Sequence, residues 1–200
     1  MVSMKKILFS LLTFVGRCFS FIYPPRIANI FSNVRSSLYT GWSKRQFALF
    51  EGTLYGKIKV VGGKCISVHK GTQIYERVEF QAITSANGKV FCPEIEIGSN
   101  CLIQRDCQIT SSNKVIIEDN VSIAARVLIT DTVHGDFSPM SFTFENGSDI
   151  PDVFLQNAQT REYVSKGPVI IEHDVHIAMN CIVLPAVTLG GNTGQYWWYY

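Results

Sequence analysis

Along much of this chain an aliphatic residue recurs every six positions. From Ile97 the sequence reads Ile97-Gly-Ser-Asn-Cys-Leu, Ile103-Gln-Arg-Asp-Cys-Gln, Ile109, with a second small apolar residue four places on, at Cys101 and Cys107. The pattern returns as Ile117-Glu-Asp-Asn-Val-Ser, Ile123-Ala-Ala-Arg-Val-Leu, Ile129, with Val121, Val127 and Val133 in the second position. A third block runs Ile171-Glu-His-Asp-Val-His, Ile177-Ala-Met-Asn-Cys-Ile, Val183-Leu-Pro-Ala-Val-Thr, Leu189, with Val175, Cys181 and Val187 as its second residues. A weaker block passes through Val68, Ile74 and Phe80. Period six matches neither the 3.6 of a helix nor the 2 of a two-faced strand. Each unit predicts one short strand and a tight turn, so three make a coil of about eighteen residues. The aliphatic residue points inward and stacks on its counterpart in the next coil, because no coil can bury that face alone. Gly98, Asn100, Asp119, Asn120, Asp174 and Asn180 supply corners that need turn conformations. The expectation is an all-β parallel β-helix over residues 68–189; a sandwich would show alternation and hairpin turns instead.

The breaks in the pattern divide the chain. Residues 132–168 lack the hexads, and a long patternless excursion from a rigid solenoid is a natural place for a functional site. At the other end, Lys5 and Lys6 precede an apolar run over residues 7–15, followed by Arg17 and a second apolar stretch over 19–23. The run has the look of a signal peptide without its cleavage site, and it is too short to span a bilayer. Two readings stand open: a segment lying on a membrane surface through residues 1–35, or a helix packed on the end of the β-helix or on a neighbouring subunit. Three parts follow: residues 1–50 helical, apolar and basic; 51–190 the β-helix with its loop at 132–168; and 191–200 an aromatic tail.

Composition narrows the function classes. Eighteen basic against sixteen acidic residues give a net charge of +2, no field of the kind that nucleic acid selects. Of 200 residues 46% are hydrophobic and 17% charged, enough to fill a sizeable core. The six cysteines form no CxxC pair, and Cys101, Cys107 and Cys181 share one repeat position. They read as small reduced core side chains, not as disulfides or a zinc site, which favours a cytoplasmic location.

The segments Val127-Leu-Ile-Thr-Asp-Thr-Val-His-Gly-Asp, Ser165-Lys-Gly-Pro-Val-Ile-Ile-Glu-His-Asp-Val-His-Ile-Ala and Val183-Leu-Pro-Ala-Val-Thr-Leu-Gly resemble the hexapeptide-repeat acetyltransferases. The likeness covers roughly residues 95–190 and is strongest to O-acetyltransferases of surface polysaccharides and their galactoside and maltose relatives. It implies a left-handed parallel β-helix, a homotrimer, and acetyl-CoA sites between adjacent subunits. It also implies that His134 is the general base: an imidazole can take the proton of a sugar hydroxyl as that oxygen attacks the thioester. Asp131 and Glu145 are alternatives for the group that orients the ring. By the same resemblance Gln104, Asp131 and His176 would meet the acceptor, and Ala178 and Met179 would meet CoA; Lys166 and Arg161, which border the returning coil, are basic candidates for its phosphates. No metal is called for. The expected reaction is acetyl transfer to a surface glycan or its precursor, on the inner face of the membrane.

Departures from the family pattern point to a rival reading. His176 stands where relatives carry tryptophan, Glu172 where glycine is usual, and the tail from Gly190 to Tyr200 does not continue the hexads. That tail reads as a cap or as the mark of a truncated gene, and the alternative is a decayed member that only trimerises or binds glycan. An acetyltransferase for a small hydroxylated molecule is a further alternative. A γ-type carbonic anhydrase is disfavoured, because no two of His69, His134, His173 and His176 have the spacing of five that its zinc site needs.

Overall fold

The computed structural model describes residues 2–22, 25–135, 157 and 161–190. Glu145 and the tail over 191–200 lie outside the described residues. Two helices come first, α1 (Val2–Ile22) and α2 (Pro25–Ser43). After them almost all regular structure is strand.

Three parallel sheets carry the ladder. The first contains Leu49–Phe50, Ile66–Val68, Glu94–Ile97, Lys114–Ile117, Val169–Ile171 and Thr188–Leu189. The second contains Thr53–Leu54, Gln73–Ile74, Leu102–Ile103, Ser122–Ile123 and His176–Ile177, and the third Lys59–Val61, Glu79–Ala82, Gln108–Ser111, Leu128–Thr130 and Ile182–Val183. The chain visits first, second and third sheet in turn and then returns to the first. Partners lie eighteen residues apart where the corners are tight, as Leu49 with Ser67 and Ile170 with Thr188, and twenty apart for Ile103 with Ile123. This order is compatible with a parallel β-helix. It begins at Leu49, earlier than the hexads reveal, because Phe47, Phe50 and Leu54 fill the first layer with residues that do not follow the repeat.

The hexad residues are the core. Ile97, Ile103, Ile109, Ile117, Ile123, Ile129 and Ile171 have no exposed surface. Each such side chain contributes about 1.5–3 kcal/mol by leaving water. The second repeat residues Cys101, Cys107, Val121, Val127, Val175 and Cys181 are also buried, and all six cysteines are thiols outside any disulfide. Burial pushes the Cys101 and Cys107 thiols up in pKa, and each donates to a carbonyl of the next coil, Glu118 O at 3.0 Å and Ala124 O at 3.1 Å. Val133 departs from the expectation: it is half-buried and belongs to an antiparallel pair outside the three sheets.

Corners repeat in columns. Asn100, Asn120, Asp174 and Asn180 take left-handed φ of 57–64°, as side chains that tolerate it. Asp106 belongs with them at 63°, whereas Arg77, Arg126 and Ala186 take the same conformation without such a preference. Gly98 serves a different need: a Cβ there would lie 2.7 Å from the Glu118 carbonyl carbon of the next coil. Asp119 likewise bridges coils, its Oδ1 accepting from the Ser99 N–H at 2.5 Å.

Candidate functional site

Both large excursions leave the ladder at one corner, between the third sheet and the first. The earlier one carries the hairpin Ser85–Ala86 with Lys89–Val90, which the hexad pattern does not announce. The later one opens with Thr132–His134 and returns through Tyr163–Ser165, and these two strands pair antiparallel with His134 opposite Tyr163. The Gly135 N–H donates to Glu162 O at 2.7 Å and continues the pair. The two excursions touch: Asn87 Nδ2 donates to Arg161 O at 2.8 Å, and Lys89 Nζ meets Glu162 Oε2 at 2.6 Å.

Asp131 makes the departure possible. Its side chain has no exposed surface, and its oxygens accept from the backbone N–H groups of Ser112, Asn113 and Lys114 at 2.8, 2.9 and 2.5 Å. Two hydroxyls, Ser111 Oγ and Thr132 Oγ1, donate to the same carboxylate at 2.7 and 2.5 Å. A carboxylate has about four lone-pair sites, so five donors leave none for a substrate or an imidazole. The expectation that Asp131 meets the acceptor or orients His134 is therefore corrected: it braces the corner one coil below.

His134 is exposed at the mouth of the excursion, and its ring lies 4.1 Å from that of Tyr163, centroid to centroid, at 55°. Tyr163 has no sequence signal of its own; only the strand pairing brings it to the ring. Lys166 is exposed at the same corner, one residue beyond the return strand.

The other predicted residues lie elsewhere in the coil. Gln104 is half-buried where the chain leaves the second sheet, its N–H donating to Ile123 O at 2.9 Å. The registers put Tyr75, Ala124 and Ala178 in its column. Ala178 packs partly on the core, and the exposed Met179 sulfur accepts from Arg126 Nη2 at 3.0 Å. His176 stands exposed in the column of Ser122 and Leu102, on the outer side of the second sheet. One chain thus gathers His134, Asp131 and Lys166 at one corner and Gln104, Ala178 and Met179 at another.

An open groove of about 740 Å³ at the remaining corner holds acid–imidazole pairs that the repeat reading left aside. His69 Nε2 lies 3.4 Å from Glu96 Oε1, and His173 Nδ1 lies 3.0 Å from Asp174 Oδ2. The hydrogen bond to Asp174 raises the His173 pKa, and the same bond lowers that of Asp174. Among the described residues no group of three or more His, Cys, Asp or Glu side chains could hold a metal ion. Nor is any helix among them long and apolar enough to cross a membrane.

Comparison with known proteins found no matching family model, no matching curated protein and no matching solved structure.

Proposed function

We propose that the chain is a hexapeptide-repeat acyltransferase built on a left-handed parallel β-helix. Its particular reaction, in this reading, is transfer of the acetyl group of acetyl-CoA to a sugar hydroxyl of a surface glycan or its precursor, at the cytoplasmic face of a membrane. The observation that carries the reading is His134: an exposed imidazole, held by strand pairing and by the Tyr163 ring, at the mouth of the excursion that interrupts the hexads. A rigid platform for one imidazole is what direct general-base transfer asks of a protein.

The steps balance without a covalent enzyme intermediate. His134 takes the hydroxyl proton as the sugar oxygen bonds to the thioester carbonyl carbon. Collapse of the tetrahedral intermediate breaks the C–S bond, and the imidazolium returns its proton to the leaving thiolate. A homotrimer suits the separation of corners described above, since Gln104, Ala178 and Met179 of one subunit would complete the site around His134 and Lys166 of another. His176 would then lie beside the acceptor.

The test is acetyl transfer from acetyl-CoA to a panel of glycans by purified wild type and His134→Ala. Transfer by wild type and a loss of about a hundredfold or more in the variant are expected. Equal activity would remove His134 from this role. Absence of CoA binding would favour the decayed reading, a protein that only trimerises or binds glycan.

A further inference from the structure

The two N-terminal helices differ in what they pack on. Side chains 36, 40 and 43 of α2 face the ladder, and all three are small and polar: Ser36, Thr40 and Ser43 are buried. Thr40 Oγ1 accepts from the Leu54 N–H at 2.9 Å, and the Tyr39 hydroxyl accepts from the Ile58 N–H at 3.2 Å. This face ties down the first coil. The opposite face of α2 carries Ile27, Phe31, Val34, Leu38 and Trp42, spaced four, three, four and four apart, so that they form one stripe. That stripe points outward, with Leu38 70% and Trp42 71% exposed. An ordinary surface helix does the reverse and turns its apolar stripe to the core.

Helix α1 has the same character. Residues 5–21 are all exposed, so α1 does not pack on the ladder. Lys6, Ser10, Thr13, Arg17 and Ser20 follow at intervals of four, three, four and three and make one polar stripe. Ile7, Leu11, Phe14, Val15 and Phe19 occupy the other side. Thr13 and Ser20 donate their hydroxyls back to Phe9 O at 2.9 Å and Arg17 O at 2.7 Å, which reduces the polarity they present.

Charge identifies the occupant. Residues 1–50 contain seven Lys and Arg and no Asp or Glu, while residues 51–200 contain eleven basic and sixteen acidic residues. A second copy of this segment would bring cation against cation. An anionic lipid surface offers both what the stripes and what the cations lack: a headgroup phosphate layer over an apolar interior, in which helices with one apolar and one basic face lie in plane. We infer that α1 and the outward stripe of α2 lie in the headgroup region of an anionic bilayer. This names the surface behind the membrane-side location proposed above, and it stands or falls separately from acetyl transfer.

The test is sedimentation of the full chain with vesicles of phosphatidylcholine alone or mixed with phosphatidylglycerol. Wild type is expected to partition onto the mixed vesicles, weakly onto the neutral ones, and less as salt rises. Replacing Lys6→Gln and Arg17→Gln together should lower partitioning roughly thirtyfold, at about one surface charge's attraction each. In a Trp197→Phe, Trp198→Phe background, Trp42 emission should shift to the blue with mixed vesicles, and Phe31→Glu with Leu38→Glu should abolish the shift while far-UV circular dichroism stays unchanged. Sedimentation equal to the lipid-free control overturns the inference. So does a Trp42 shift that appears with rising protein concentration alone and tracks a larger mass, since a second copy would then cover the stripe. Acetyl transfer to a water-soluble sugar, assayed on the same variants, should be unaltered, which keeps the two readings apart.

Discussion

The rings of His134 and Tyr163 meet across an antiparallel pair, 4.1 Å between centroids and tilted by 55°. The tilted ring pair restrains the imidazole, and such aromatic contacts are worth about 0.5–1.5 kcal/mol. Removing the ring lets the imidazole sample other rotamers. Tyr163→Ala should therefore lower kcat for acetyl transfer about two- to tenfold, and Tyr163→Phe should leave it near wild type. Steady-state kinetics on both variants decide this: equal losses would mean that the hydroxyl, not the ring face, supports His134.

Asp131 should prove a structural residue despite its place three positions before the proposed base. Its replacement by Ala strands the N–H groups of Ser112, Asn113 and Lys114, each costing about 1–3 kcal/mol when unpaired. Water reaches the exposed Asn113 and softens the total, so a loss of about 3–5 kcal/mol in urea unfolding is expected. Asp131→Asn should be nearly as harmful, since an amide nitrogen would oppose backbone donors. The shape of its pH–rate profile should match wild type; a shifted limb would restore Asp131 to the role of orienting His134.

These two residues show what the sequence could and could not carry. Ile97, Ile103 and Ile109 announce the ladder because each must meet an equivalent residue in the next coil, which imposes the period. The excursion after Thr130 is legible as a gap in that period. Tyr163 is not, because a cross-strand contact between residues 134 and 163 leaves no local trace. Asp131 misleads for a related reason: its partners are backbone groups of another coil, and backbone has no letter in the sequence. The first coil is hidden because Phe50 and Leu54 fill it out of register with the hexads, and the inward Ser and Thr face of α2 contradicts the usual rule for surface helices.

His173 should titrate above the ordinary imidazole value of about 6.5, because Asp174 accepts its hydrogen bond and favours the charged ring. Asp174→Asn should bring the midpoint back down, as followed by NMR of the ring protons. The sign for stability follows. The pair contributes fully below the ordinary imidazole value while Asp174 remains ionised, and that contribution fades as pH rises through the raised His173 value. At the acid end it disappears as pH falls through the lowered Asp174 value. Both groups are exposed, so added salt should shrink the shift. A His173 midpoint unchanged by Asp174→Asn would show that the two side chains do not interact in solution.

Corners that need left-handed backbone should respond to substitution with opposite signs. Asn120 has φ of 60° and donates its N–H to Ser99 O at 2.9 Å, one coil away. The clash between Cβ and carbonyl that makes this region unfavourable, about 1–2 kcal/mol, is shared by asparagine and alanine, but only asparagine offsets part of it through its short polar side chain. Ala186, with φ of 63°, already bears it. Ala186→Gly removes the clash, and the greater freedom of glycine in the unfolded chain offsets about 0.5–1 kcal/mol of the gain. The methyl group is exposed, so little burial is lost with it. Urea unfolding should thus place Asn120→Ala below wild type, by at most about 1–2 kcal/mol, and Ala186→Gly level with wild type or up to about 1 kcal/mol above. A clear loss in Ala186→Gly would mean that this corner is held by contacts of the methyl group and not merely endured by the backbone.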